Sequence, residues 1–447
     1  MKVLHRYLGP DALRLRNVSV LSVDHVFRSA VGFVVAVLVA RHLGPDRYGT
    51  FAYIFGIVGL FAPLTVFGLQ HFTIRRLVSM PEEHAATLGT ALLIRSAGAI
   101  AAFILVIFVP LIVDGPKDAT FELLALAGLM LIALPSETLN DVFRARERMG
   151  WIAAPKSAVA AVIAIVTVLL VWRDASLIGF VAVRVGEAVL LALATWIALS
   201  QFLGGAPRLA FDRDLAWTML RTGTPLFLAA ISVTIYMRID QVMLGAMTDA
   251  SVLGNYAVAT KFAEIVYFIP IAIAVSYYAG MVRSHDTSKD MFRSEMQALF
   301  DVVGLVTIAL ALAVAITAWF ILIPTFGADY AEAVPMVAVL APSVVFVGLG
   351  VARSNVLTIE GWNWTSFVTT SAGAVLNVGL NLVLIPHYGG IGAALATVAA
   401  YAFAVIGGSY LLPWMWPVAG ALVRSLNPIG AARRVARLAA TQGETAV

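Results

Sequence analysis

No cysteine occurs among the 447 residues, which excludes disulfide frameworks, thiolate-held metals and thiol nucleophiles. Charge is scarce too. Asp, Glu, Lys and Arg make up 13% of the chain, against about 25% in soluble domains. What fills the gap is apolar: 61% of residues are hydrophobic and the mean hydropathy is +0.91. Such a surface cannot face water. A cleavable leader is not expected either, because residues 1–22 carry Lys2, Arg6, Arg14 and Arg16 among leucines and valines. That pattern reads as an interfacial segment leading into a first membrane span.

Apolar runs of bilayer-spanning length recur along the whole chain. Twelve spans are predicted, at 23–43, 48–70, 87–113, 120–142, 152–172, 175–200, 223–246, 252–280, 298–323, 332–356, 362–385 and 390–416. Proline and glycine within them, such as Pro63, Pro135 and Pro270, suit membrane helices that kink or line a cavity. With the N-terminus cytoplasmic, 19 Lys/Arg fall in cytoplasmic segments and four (Arg41, Arg47, Lys117 and Arg173) on the other side. That asymmetry orients the chain with both termini inside. It also assigns the pI near 9.3 to an anionic leaflet rather than to nucleic acid. Arg144, Arg146 and Arg148 of one loop and Arg433, Arg434 and Arg437 of the tail are expected to be surface anchors.

The longest polar interruption, 201–222, divides the spans into two sets of six. The expected organisation is an N-terminal segment (1–22), an N-lobe (23–200), a cytoplasmic connection (201–222), a C-lobe (223–416) and a basic cytoplasmic tail (417–447). An internal repeat supports it. Leu43-Gly44 followed by Tyr48-Gly49-Thr50-Phe51-Ala52 matches Leu244-Gly245 followed by Leu253-Gly254-Asn255-Tyr256-Ala257. Ile178-Gly179 opens the sixth span as Ile391-Gly392 opens the twelfth. Six being even, the halves share one orientation and are related by a pseudo-two-fold axis along the membrane normal.

The stretches ARHLGPDRYGTFAY (40–53), YMRIDQVMLG (236–245), LGNYAVATKFAEIVYFIP (253–270) and LIPHYGGIGAALAT (384–397) resemble Wzx-type polysaccharide flippases. These belong to the multidrug/oligosaccharidyl-lipid/polysaccharide exporter superfamily. The resemblance covers about residues 17–415. It implies an all-α polytopic membrane protein of twelve helices in two lobes around a V-shaped central cavity. It also implies a flippase, not an enzyme, that moves a polyprenyl-pyrophosphate-linked oligosaccharide, with undecaprenyl as carrier, from the cytoplasmic to the outer leaflet of a prokaryotic inner membrane by alternating access. Membrane lipids and polysaccharide polymerase or assembly proteins are the implied partners, nucleic acid is not one, and the working unit is expected to be a monomer.

Seven basic residues fall inside spans: Arg28, Arg95, Lys156, Arg184, Arg238, Lys261 and Arg353. Each costs about 2.5–3.5 kcal/mol at a lipid-facing helix centre unless it meets water, a partner or the interface. Lys156 and Arg353 lie near cytoplasmic helix ends and are read as snorkelling anchors. Arg184, Arg238 and Lys261, supported by Arg28 and Arg95, form the candidate site for the pyrophosphate-sugar head, which guanidinium and ammonium groups suit. The competing reading is local pairing, since Asp24 and Arg28, Arg184 and Glu187, and Lys261 and Glu264 share helix faces. One departure from lipid II flippases is the lack of any basic residue between Arg47 and Arg75. Tyr53, Tyr236, Tyr256, Tyr267 and Trp319 are candidates for sugar contact.

A monovalent cation site is expected in the C-lobe. Counting from the predicted outer ends at 1.5 Å per residue, Asp240, Asn377, Asn381 and Thr397 converge roughly 6–12 Å below the outer surface. A carboxylate, two amides and a hydroxyl suit a hard cation such as sodium. Lipid II flippases that resemble this chain bind sodium at equivalent places, with an acid where Asn381 stands in some. The alternative is that the amides and hydroxyl bridge helices while Asp240 pairs with a cation such as Lys261.

Other motifs carry less. Asp212-Arg213-Asp214 matches the metal-binding Asp-x-Asp of glycosyltransferases but sits in a short loop with no room for a nucleotide fold. Asn363-Trp364-Thr365 is a sequon at an expected cytoplasmic helix start. The rival function is a cation-coupled multidrug antiporter of the same superfamily, disfavoured by the basic interior.

Overall fold

The computed structural model describes residues 10–113 and 115–444; Lys2, Arg6 and the side chains of Arg14, Arg16 and Asn363 lie outside the described residues. Every regular element among those described is helical. By contacts the chain divides into two units, Met1–Ile231 and Ser232–Val447.

The first unit contains α1 (Pro10–Phe61), α2 (Pro63–Val66), α3 (Gln70–Ser79), α4 (His84–Phe108), α5 (Phe121–Ala133), α6 (Asn140–Ala145), α7 (Gly150–Trp172) and α8 (Leu177–Leu203). A 3₁₀ turn at Leu134–Leu139 joins α5 to α6. Helix α9 (Arg213–Met247) runs from the first unit into the second. There follow α10 (Ala250–Glu264), α11 (Phe268–Thr287), α12 (Lys289–Thr317), α13 (Ile323–Phe326), α14 (Ala333–Leu340), α15 (Ser343–Ile359), α16 (Asn363–Ala402), α17 (Gly408–Tyr410), α18 (Trp416–Ser425) and α19 (Pro428–Glu444).

Ten helical stretches among the described residues are long and apolar enough to cross a bilayer, and the chain is a multi-pass membrane protein. Two of the ten, Val23–Ser79 and Trp364–Tyr410, each combine two of the predicted spans. Helix α1 breaks at Gly44 (φ 70°, ψ 171°) and α16 at Gly389 (φ 54°, ψ −130°). Both are backbone states that glycine reaches without a Cβ penalty. The chain reverses at each break. In α1, Asp24 meets Ser157 near the start of α7 and His42 meets Ala175 beyond its end, after which Thr65 returns to Arg95 in the middle of α4. In α16, Thr369 before the break and Ala404 beyond the helix end both reach Arg353.

Helix α4 shows how such helices pack without a hydrophobic driving force between them. Its buried face is Leu88, Ala91, Arg95, Ala99, Ala102 and Val106, at three- and four-residue spacing, while Leu93, Ile100, Ile104 and Phe108 are exposed. Small side chains let backbones approach, and the large ones face lipid. In the second unit the core forms where α11, α12, α15 and α18 meet, around Met281, Phe300, Val303, Leu349, Met415 and Leu422.

The segment 201–222 is not a free tether. The Ala210 amide donates to the Ala85 carbonyl (2.9 Å) and the Asp212 amide to the Thr90 hydroxyl (3.0 Å). Gly89 makes this possible, because a Cβ there would lie 2.2 Å from the Ala210 carbonyl oxygen. Leu215 and Met219 of α9 are buried with Leu69 and Ala91. The division between units therefore falls inside α9, at 231/232, rather than in the polar break. The basic tail, too, is built: α18 and α19 pack on α12, and Arg434 grips the fully buried Asp301 through two 2.7 Å bonds.

Candidate functional site

A cavity of about 230 Å³ opens in the first unit, lined by Arg28 and Gly32 of α1, Glu137 of the 3₁₀ turn, Lys156 of α7, and Arg184 and Glu187 of α8, with Val35, Ile163 and Leu191 as its apolar wall. Helix α5 ends at Ala133, and Glu137 stands on the 3₁₀ turn that follows it, two residues after Pro135. Every cation in the lining has a carboxylate. Arg28 donates to Asp24 through Nε (3.0 Å) and Nη2 (2.8 Å), and Asp24, itself 5% exposed, also accepts from Ser157 (2.7 Å). Lys156 donates to Glu137 (2.6 Å), which is further held by Asn140 (2.7 Å) and Arg144 (3.3 Å). Arg184 pairs with Glu187 one turn on and lies over the Phe55 ring, 6.0 Å from its centroid.

Of the five candidate substrate-binding cations, the structure brings Arg28 and Arg184 together in this cavity. Arg95 is elsewhere. It is 3% exposed and donates to the Thr65 carbonyl (2.9 Å) and the Thr138 hydroxyl (2.7 Å), tying α2 and the 3₁₀ turn to α4. Arg238 and Lys261 belong to the second unit, where Lys261 pairs with Glu264 (3.2 Å). Arg238 is half-buried on α9.

Two expectations for the other cations are corrected. Lys156 is not a snorkelling anchor, because Glu137 holds it in the cavity. Arg353 does not snorkel either. It is 4% exposed and bonds the Ala404 carbonyl (3.2 Å) and the Thr369 hydroxyl (2.8 Å). Among the expected surface anchors, Arg144 is bonded to Asp141 (2.7 Å) and Arg434 to Asp301, so both are structural. The signal for Lys156 was Glu137, nineteen residues away, a spacing that no helical periodicity marks.

The predicted cation-site residues are all buried: Asp240 3%, Asn377 0%, Asn381 0% and Thr397 5% exposed. Asp240 accepts from the Tyr256 hydroxyl, from Thr397 (3.1 Å) and from the Gln241 amide (2.8 Å). Asn381 Nδ2 donates to Asn377 Oδ1 (3.1 Å), which leaves Asn381 Oδ1 and Asn377 Nδ2 buried without hydrogen-bond partners among the described residues. Asn255 Oδ1, beside Tyr256 in sequence, is orphaned in the same way. The alternative pairing of Asp240 with Lys261 is not what forms. Tyr256, a candidate for sugar contact, is fully buried and donates to Asp240 instead. Tyr53, 2% exposed, presents no face to a sugar either. Tyr236 stacks on Tyr401 (4.1 Å between centroids), Tyr267 bonds Ser343 (3.1 Å), and Trp319 is exposed. Asp212, from the Asp-x-Asp match, spends its carboxylate on the Leu215 amide (2.9 Å) at the start of α9.

A multi-pass α-helical protein with ion pairs held in an open cavity in one unit and a buried acid in the other is built as a transporter is built. A family model described as polysaccharide biosynthesis protein matches residues 14–285, more than half of the chain, and the protein belongs to that family. The fold is shared with solved structures, among them three transporters. The lipid II flippase MurJ, in an inward closed conformation, is 18% identical and superposes with a TM-score of 0.71, covering 91% of this chain and 90% of that one. An inward-facing multidrug resistance MATE family transporter of the MOP superfamily is 15% identical, TM-score 0.64, with 88% and 95% covered. The eukaryotic MATE transporter AtDTX14 is 14% identical, TM-score 0.59, with 92% and 99% covered. No curated protein sequence matches.

Proposed function

We propose that this protein is a flippase that carries a lipid-pyrophosphate-linked oligosaccharide, on an undecaprenyl-type carrier, from the cytoplasmic to the outer leaflet of a prokaryotic inner membrane by alternating access. The observation that carries the reading is the cavity of the first unit, lined by Arg28, Lys156 and Arg184, in a chain of the polysaccharide biosynthesis family. A pyrophosphate needs forked and point-charge donors away from bulk water. The polyprenyl tail can remain in lipid while the head enters. Arg238 and Lys261, cations of the second unit, are proposed as anion-binding groups of that unit. Arg95 drops out of the contact set, since its donors are committed within the protein.

Asp240, Asn377, Asn381 and Thr397 would hold a monovalent cation such as sodium. The fit rests on a buried carboxylate that makes no salt bridge among the described residues and on the orphaned Asn381 oxygen. A bound cation would supply the missing positive charge, and each ligand oxygen is of the type hard cations select.

The test is translocation of a fluorescent lipid-linked oligosaccharide in proteoliposomes, with Arg28, Lys156 and Arg184 replaced together by Gln. Loss of translocation with folded protein retained is the expected result. Wild-type rates in that triple variant, or efflux of ethidium with no lipid movement, would overturn the reading in favour of drug antiport. A sodium-dependent thermal shift that disappears in Asp240→Asn tests the cation site.

A further inference from the structure

The hydrogen bonds around Asp240 are unevenly spread over its two oxygens. Oδ2 accepts from the Tyr256 hydroxyl and from the Thr397 hydroxyl (3.1 Å), while Oδ1 accepts from the Gln241 amide (2.8 Å). A carboxylate offers about four lone-pair sites, two on each oxygen, so Oδ2 is full. A cation shared by Asp240 and Thr397 can reach that oxygen only after a hydroxyl has let go.

The two hydroxyls differ in what else they can do. Thr397 stands on a helix, where a threonine proton can turn to the carbonyl one turn back, as those of Thr167 and Thr307 do. Its oxygen then keeps lone pairs for a ligand. The Tyr256 hydroxyl stands at the end of a rigid, fully buried ring and has no room to swing away. A second oxygen within its reach is that of Thr397, 3.2 Å off. The phenol proton therefore has two acceptors available to one unmoved ring, the carboxylate and the threonine.

We infer that Tyr256 is the release residue of the cation site: its hydroxyl holds Asp240 while the site is empty and passes to Thr397 while it is filled. This rests on the cation reading of Asp240 and Thr397. A buried carboxylate without donors is costly, and the phenol supplies one of the donors that make the empty state tolerable. That bond is given up on binding, so Tyr256 weakens the hold on the cation and leaves it free to depart. The hydroxyl keeps its hydrogen throughout and changes only its acceptor. The internal repeat sets Phe51 against Tyr256, and Val39 against Asp240. The half without the acid has the same kind of ring without the hydroxyl, so hydroxyl and acid occur together.

Full-length protein in sodium-free nanodiscs is titrated with sodium chloride, N-methylglucamine chloride holding the ionic strength, and sodium affinity and unfolding midpoint are read together. Without sodium, Tyr256→Phe should unfold below the wild type. It should bind sodium about tenfold tighter, and its midpoint should rise further at saturation, narrowing the gap. Thr397→Val, which removes an oxygen ligand, should go the other way and bind sodium more weakly. Lost ring packing alone would lower the Tyr256→Phe midpoint equally at every sodium concentration. That result, or weaker sodium binding in Tyr256→Phe than in the wild type, would overturn the inference and leave the cation site standing. If Tyr256→Phe cannot be isolated without sodium, recovery of folded protein by sodium and not by N-methylglucamine gives the expected sign, and no recovery overturns the inference. No sodium response in wild type and Tyr256→Phe alike would overturn the cation reading beneath it.

Discussion

The internal repeat allows the two halves to be compared position by position, and at the polar sites they are opposite. Counting from the paired Leu-Gly steps sets Val39 against Asp240, the Phe51-Ala52 and Tyr256-Ala257 match sets Phe51 against Tyr256, and the paired Ile-Gly steps set Arg184 against Thr397. In the second unit Asp240, Tyr256 and Thr397 close into a buried knot of hydrogen bonds around one carboxylate. In the first unit the same three places hold a valine, a phenylalanine and an arginine, and the arginine lies at an open cavity. One scaffold has thus been given an open face of paired charges and a closed, buried acid. The two units also share a device. Arg95 and Arg353 are each buried and each spend themselves on one backbone carbonyl and one threonine hydroxyl.

The largest effects should come from that shared device. Arg95→Ala and Arg353→Ala each lose two charge-assisted hydrogen bonds, at about 1.5–3 kcal/mol apiece. Each should lower the unfolding midpoint steeply. Next is the anionic knot: Tyr256→Phe should cost about 1.5–3 kcal/mol in thermal unfolding. In Asp240→Asn the same change should cost much less, since contacting residues do not add. Arg434→Ala exposes the buried Asp301 to an unpaired state, but Arg434 is one-third exposed. About 1–3 kcal/mol follows once solvent screening is allowed for, against nearly nothing for the exposed Arg433→Ala. At the open cavity Arg184→Thr, which copies the second unit's residue into the first, breaks the pair with Glu187 and should cost about 0.5–1 kcal/mol. It should slow translocation about tenfold or more, the equivalent of losing one charge-assisted bond to the head. Smallest is Arg148→Ala, an exposed surface charge worth roughly 1 kcal/mol of lipid attraction, measured as the change in the reconstituted protein's preference for anionic over neutral lipid.

Hydropathy made the spans legible, because bilayer thickness imposes a length that any helix must meet, and the repeat made the two-unit plan legible. The close pairs Asp24–Arg28, Arg184–Glu187 and Lys261–Glu264 could be read off the helical period. Partners far apart in sequence could not: Glu137 with Lys156, Thr138 with Arg95 and Asp301 with Arg434 depend on tertiary packing that no local spacing encodes. Depth along a helix also misled for Arg353. Proximity to a helix end shows that a side chain could reach the interface, but which face of the helix it occupies decides whether it does. The burial of Tyr256 was missed for a related reason, since an aromatic ring near a membrane surface has the same sequence signature whether it faces sugar or a carboxylate.

The reversals at Gly44 and Gly389 bear on how the protein is made. At each of them two spans are joined through a single non-helical residue, so no polar loop separates the arms. Each pair is expected to insert as one helical hairpin, its orientation set by the charges that flank both arms. A bulkier residue at either glycine would then act first during biosynthesis, as mis-inserted chains cleared by quality-control proteases, before any fault in transport could be observed.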